Sequence, residues 1–205
     1  MAIHPRATPL DYGTLPIGAG AGQRLSAKWH MPAPWYTASI GGGLADVFMI
    51  DTQDYLNFVQ GTEMQAAVNN STATWKIVVG HHPRFTSGFH QFDNNLSGLF
   101  GMFGFQSGVY CRADLYLSGH DHNREFIDKG ADAFCPNTYF AVSGAGSTVR
   151  ESTSPVVPPQ LFYDHAELGF AYLELSENEM VFEFYTSLAA DCTRPQLAYR
   201  LVVPR

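Results

Sequence analysis

Three short apolar runs stand out in the first two thirds of the chain. They are Ala45–Asp51, Trp75–Gly80 and Ala113–Leu117. Runs of this length with few polar residues are typical of strands that are covered on both faces of a sheet. Between the first two runs, residues 53–69 place apolar side chains on one helical face, with Thr52 as a candidate N-cap. The order strand, helix, strand predicts a right-handed βαβ unit with parallel strands.

The rest of the chain predicts shorter elements. Strands are indicated at Arg124–Ile127, Thr138–Val142, Phe170–Leu175, Val181–Tyr185 and Leu197–Val203, with a hairpin at Ser176–Glu179. Residues 95–104 predict a short helix, and the proline-containing segment 150–166 predicts a loop. Residues 1–28 form a Gly- and Pro-rich irregular lead-in. We therefore interpret residues 29–205 as one α/β domain with a mixed sheet.

Histidines concentrate where two of the apolar runs end. Five of the eight histidines lie in the two loops that follow Trp75–Gly80 and Ala113–Leu117: His81, His82, His90, His120 and His122. Imidazole is the commonest metal-binding side chain, and neighbouring parallel strands deliver their carboxyl ends to one edge of a sheet. The pattern predicts a metal site assembled from adjacent strand ends. The alternative is a set of polar loop residues that bind no metal.

Two histidine blocks carry a family resemblance. Gly80-His81-His82-Pro83 and Ser118-Gly119-His120-Asp121-His122-Asn123 resemble the last two metal-binding blocks of calcineurin-like metallophosphoesterases, in particular purple acid phosphatases of the tartrate-resistant type. Further stretches resemble the same branch, and the resemblance covers roughly residues 25 to 185. These stretches are Trp29–Tyr36, Val47–Thr52 and Ser143–Gly146.

The resemblance implies a dinuclear metal centre, iron with zinc, manganese or iron, that hydrolyses phosphomonoesters by attack of a metal-bound hydroxide. It implies that His81 and His120 bind the second metal and that His122 binds the first. His90 would contact phosphate or protonate the leaving group, as a catalytic residue. The remaining polar residues of the two blocks would support the ligands or face the substrate: His82, Asp121 and Asn123.

Three earlier metal-binding blocks of that family are not found in the first forty residues: Asp-x-His or Asp-x-Gly, Gly-Asp-x-x-Tyr, and Gly-Asn-His followed by Asp or Glu. We therefore expect the C-terminal half of a four-layer αββα sandwich, with one sheet whose inner face is uncovered unless something else packs there. Three histidines from a site of about seven ligands predict little or no activity for this chain alone. The alternatives are a non-catalytic binding domain and a half-enzyme that a partner chain completes.

Composition excludes some functions. Twelve basic against nineteen acidic residues give a net charge of −7, which disfavours binding to nucleic-acid phosphates. We find no apolar stretch of membrane-spanning length and no signal-peptide pattern, so the compartment stays unassigned, although the resembling family is often secreted or periplasmic. Cys111, Cys135 and Cys192 leave open one disulfide with a free thiol, or three thiols.

Overall fold

The computed structural model describes residues 32–54, 57–91, 105–152, 159–188 and 191–205. Its strands are β1 (Tyr36–Ile40), β2 (Ala45–Met49), β3 (Trp75–Val79), β4 (Leu115–Ser118), β5 (Arg124–Ile127), β6 (Tyr139–Ser143), β7 (Gln160–Asp164), β8 (Gly169–Leu175), β9 (Glu179–Leu188) and β10 (Asp191–Pro204). Its helices are α1 (Phe58–Asn70) and α2 (Phe105–Tyr110). The predicted lead-in 1–28 and helix 95–104, together with Trp29–Met31, lie outside the described residues.

Seven strands form the larger sheet, in the order β1-β2-β3-β4-β6-β5-β7. The four central strands β2, β3, β4 and β6 run parallel, while β1, β5 and β7 pair antiparallel at the two sides. The predicted βαβ unit is β2-α1-β3. Parallel strands end at the same edge, so the loops after β3 and β4 are neighbours.

One face of this sheet packs against the helices. Met64 and Val68 of α1 and Tyr110 of α2 join a buried cluster with Val78 and Tyr116 of the sheet. A disulfide between Cys111 and Cys135, whose Cα atoms are 4.4 Å apart, ties the loop after α2 to the loop before β6. The side chain of Cys192 lies outside the described set. No helix of the described ranges has both the length and the apolar character that crossing a membrane requires.

The opposite face of the larger sheet packs against a second, three-stranded sheet of order β10-β9-β8. The rings of Phe126 and Phe182 lie tilted with centroids 4.6 Å apart, and Phe162 stacks on Phe184 at 5.2 Å. The expectation of a single sheet with an uncovered inner face was wrong. The alternating strands after residue 169 bury one side, and that side faces the larger sheet.

Two boundaries differ from the sequence prediction. α1 begins at Phe58 because Asn57 is its N-cap, and the Asn57 side chain accepts a hydrogen bond from the backbone amide of Gln60. The hydroxyl of Thr52, the predicted N-cap, contacts His82 instead. The predicted loop 150–166 contains strand β7, which pairs with β5 through its backbone although prolines precede it. The predicted hairpin between β8 and β9 is present, closed by the Ser176 amide donating to the Glu179 carbonyl at 2.9 Å.

Candidate metal centre

The centre lies at the carboxyl ends of β3 and β4. His81 and His82 follow β3 through Gly80, and His120 follows β4 through Gly119. A Cβ atom at Gly80 would lie 2.6 Å from both the Thr52 methyl carbon and the Tyr116 hydroxyl. Only glycine therefore lets the chain pass between these two side chains and turn into the His81-His82 loop.

Three imidazoles converge at this edge. Nε2 of His81 and Nδ1 of His120 are 3.1 Å apart, and His82 contributes a third nitrogen within 4.8 Å of the other two. A tetrahedral zinc ion with Zn–N bonds of about 2.0–2.1 Å holds its ligand nitrogens about 3.3 Å apart. The His81–His120 pair already has nearly that separation.

His82 is held by its surroundings. Its side chain is 7% exposed, its Nδ1 is 2.8 Å from the Thr52 hydroxyl, and its backbone N–H donates to the same oxygen at 3.0 Å. Its carbonyl accepts from the Tyr116 hydroxyl at 2.6 Å. When Nδ1–H donates to Thr52, the lone pair of Nε2 is left for a metal ion.

Burial favours the neutral form of His82 and His120. It lowers the pKa of His82 to about 4, and repulsion from charged His120 and His81 adds to the effect. The pKa of His120 is also lowered, first by burial and then by repulsion from His90 and His81. A neutral imidazole is the form that binds a metal, so the ligand form is favoured at physiological pH.

His120 adopts an uncommon backbone conformation. Its φ angle is 66°, in the left-handed region, where it is the one non-glycine residue among those described. Histidine tolerates this region better than branched residues do, although the conformation still carries strain. The strained turn directs the ring toward His81 and His82, which indicates that the loop is shaped around this side chain.

His90 joins the edge of the cluster. Its ring centroid lies 4.5 Å from that of His120, and its Nε2 accepts a hydrogen bond from Nη1 of Arg150 at 3.3 Å. Its backbone N–H donates to Oδ1 of Asp121 at 3.0 Å. The loop after β3 that carries His90 is therefore anchored to the turn that carries His120.

A buried polar layer supports the two loops. Asp121 and Asn123 are each 1% exposed, and a Cβ at Gly144 would lie 1.8 Å from the Asp121 carbonyl oxygen. Glu125 accepts hydrogen bonds from the amide and hydroxyl of Ser87. Burial raises the pKa of the Glu125 carboxyl. None of these carboxylates belongs to the group of ligand atoms that converge in the described ranges.

The structure brings together His81 and His120, which the resemblance assigns to one metal, and adds His82 to them. It does not bring His122 into that group; the His122 carbonyl accepts from the Arg150 amide at 3.2 Å. Sequence reasoning missed Thr52, Glu125 and Arg150. Thr52 belongs to the Val47–Thr52 stretch that resembles the family, whereas no sequence pattern indicated Glu125 or Arg150.

The donor set fits one metal ion. Three neutral nitrogens with an open position are the set that catalytic zinc sites use. A bridged pair of ions needs carboxylates as well, and the described residues assemble no second group of three ligating side chains. Within the described residues, the converging donors are therefore three imidazoles, enough to hold one metal ion.

The fold and the site define a class of protein to which several known proteins also belong. Two sheets packed face to face, with helices on the outer face and histidines at the strand ends, define a metallophosphoesterase-type fold. The chain shares this fold with a structure titled "GAP50 the anchor in the inner membrane complex of Plasmodium", at a TM-score of 0.65 and 24% identity, over 86% of this chain and 56% of that one. PhoD has the same fold, at a TM-score of 0.56 and 13% identity, over 97% of this chain and 44% of that one.

The sequence is similar to purple acid phosphatases, which confirms the resemblance carried by the histidine blocks. It is 31% identical over 143 residues to purple acid phosphatase 3 of Arabidopsis thaliana, covering 67% of this chain and 36% of that protein. It is 30% identical over 185 residues to glideosome-associated protein 50 of Plasmodium falciparum, covering 78% and 44%. The chain thus spans about a third to under half of the length of these relatives. No protein-family model matches it.

Proposed function

We propose that this chain binds one transition-metal ion through His81, His82 and His120, and that it supplies the histidine side of a phosphomonoester-hydrolysing centre. The observation that carries the proposal is the convergence of three imidazole nitrogens within 4.8 Å at the carboxyl edge of the parallel strands. Similarity to purple acid phosphatases supports the reaction class.

A bound ion would act as a Lewis acid toward a phosphoryl oxygen. The chain's own residues would then orient the substrate and move protons. His90 faces His120 across 4.5 Å and lies on the exposed side of the cluster, where it can hold a proton for the leaving oxygen. Thr52 would keep His82 in the tautomer that binds the ion.

The chain alone is expected to have little or no phosphatase activity. Its converging ligand atoms, within the described ranges, are all imidazole nitrogens, and no carboxylate is present to bridge a second ion. Loss of that ion removes one of the two charges that steady the attacking and leaving oxygens. Full activity would then require carboxylate ligands from outside the residues described.

A non-catalytic binding role is the second candidate. It is favoured by the ligand group that lacks carboxylates within the described ranges, and by similarity to glideosome-associated protein 50, which is described as the anchor in the inner membrane complex of Plasmodium. On this reading the metal ion would stabilise the two histidine loops without turnover. Metal binding is common to both candidates, and turnover separates them.

Zinc titration of matched variants tests the proposal. His82→Asn removes a proposed ligand, while its amide can still bond Thr52; His122→Asn removes a histidine outside the group. We expect one zinc ion per chain, with affinity at least tenfold weaker in His82→Asn and unchanged in His122→Asn. His165→Asn, outside the cluster, is the control. Equal losses in His82→Asn and His122→Asn would contradict the three-imidazole site.

Turnover of p-nitrophenyl phosphate by the zinc-loaded chain separates the two candidate roles. We expect little or none with the chain alone. Activity that appears when a carboxylate-bearing partner chain is added would support the enzymatic role. Substantial turnover by the isolated chain would show that its metal centre is complete and would contradict the expectation of inactivity.

A further inference from the structure

Arg150 lies beside the histidine cluster and is held there by three contacts. Its Nη1 donates to Nε2 of His90 at 3.3 Å, and its guanidinium carbon lies 4.5 Å above the ring of Phe89. Its backbone N–H donates to the carbonyl of His122 at 3.2 Å. Backbone and side-chain contacts together place the guanidinium at the exposed rim of the site.

The charge of Arg150 is not neutralised within the described part of the chain. Four other arginines each pair with a carboxylate: Arg84 with Asp132, Arg124 with Asp164, Arg200 with Glu183 and Arg205 with Asp114. Arg150 instead contacts an imidazole and an aromatic face, neither of which carries a negative charge. Although the chain has a net charge of −7, Arg150 places an exposed positive charge beside the histidine cluster.

We propose that Arg150, beside His90, donates hydrogen bonds to an oxygen of the phosphate group that the proposed centre binds. This rests on the proposed function, because it adds a further binding residue to the same site. The planar guanidinium offers five donors in a fork that matches phosphate oxygens, so donors remain after the bond to His90. A phosphate monoester carries close to two negative charges at neutral pH.

The position of Arg150 suits this role. The cation–π contact with Phe89, at 4.5 Å, helps to hold the guanidinium in place, and Arg150 as a residue stays exposed. His90 bridges Arg150 and His120, so a phosphate held by Arg150 and His90 would lie next to the candidate metal ligands. Arginine is also preferred over lysine where a planar, two-bond contact is needed.

Inorganic phosphate is the probe for the test, and calorimetry or phosphorus NMR is the measurement. Arg150→Met removes the charge and keeps the side-chain length, whereas Arg150→Lys keeps the charge without the fork. We expect phosphate binding about tenfold weaker in Arg150→Met, equivalent to about 1.4 kcal/mol, and an intermediate loss in Arg150→Lys. Arg112→Met is the matched control, because Arg112 is exposed just before β4, at the opposite end of the sheet.

A His90→Asn background separates direct contact from an effect through His90. If Arg150 contacts phosphate itself, Arg150→Met weakens binding in this background too. If Arg150 only positions His90, Arg150→Met has no further effect there, and the proposal fails.

Each titration is made with zinc and after treatment with EDTA. Zinc affinity is expected to be the same in wild type and Arg150→Met. Failure of zinc to bind would contradict the proposed function alone, since the EDTA-treated samples still report on Arg150. Phosphate affinity that is unchanged in Arg150→Met, or no phosphate binding to wild type in either preparation, would overturn the assignment of Arg150.

Discussion

Lowering the pH should destabilise the metal-free protein more than it destabilises the His82→Asn variant. The pKa of His82 is about 4 in the folded chain and 6.5 by reference, because burial disfavours its charged form. Between these values the unfolded chain binds the extra proton, so stability is full above pH 6.5 and falls as the pH drops toward 4. The difference in pKa corresponds to at most about 3.4 kcal/mol.

Water at the rim of the cluster screens part of this charge, because His81 is exposed and His90 is only half-buried. We therefore expect an additional loss of about 1–2 kcal/mol in wild type between pH 7 and pH 4, relative to His82→Asn. His120 shifts in the same direction but is present in both proteins.

Urea unfolding after EDTA treatment, followed by tryptophan fluorescence at several pH values, measures this difference. The comparison uses the free energy of unfolding of each protein at pH 7 and at pH 4. Parallel pH profiles for the two proteins would show that burial does not lower the pKa of His82. They would also contradict the inference that burial keeps the His82 ring in its neutral, metal-binding form.

Three further substitutions test the supports of the site and the fold. Thr52→Val keeps the methyl group beside Gly80 but loses the bond to His82 Nδ1, so zinc affinity should fall about 10–100-fold by competition titration; unchanged affinity would exclude an orienting role. Phe126→Ala opens a cavity between the two sheets and should cost about 3–5 kcal/mol in urea unfolding, whereas a loss under 1 kcal/mol would mean that the sheets do not pack there. His120→Gly should be about 1 kcal/mol more stable than His120→Ala, because φ is 66° at this position; equal stabilities would argue against the left-handed turn.

The larger sheet was predictable because its central strands are covered on both faces. Burial on both sides leaves the continuous apolar runs at β2, β3 and β4, and the helix between the first two follows from its period. The second sheet was not predictable as a sheet. Alternation in β8–β10 shows that one side of each strand is buried, but does not show which surface covers that side.

The site was predictable in outline only. Two histidine loops at neighbouring strand ends predicted that His81 and His120 would meet, and the two rings do lie together. The inclusion of His82 depends on Thr52, thirty residues earlier, which fixes the ring from behind. Arg150 comes sixty residues after His90, and only the path of the chain after β6 brings them together. Contacts of this kind follow from tertiary structure, not from local pattern.

X-ray absorption spectroscopy of the zinc-loaded chain tests the central claim most directly, since it counts and identifies the atoms around the ion. We predict one zinc ion with three imidazole nitrogens at about 2.0–2.1 Å and no neighbouring metal ion. A second metal at about 3.5–4 Å, or a shell dominated by carboxylate oxygens, would contradict it.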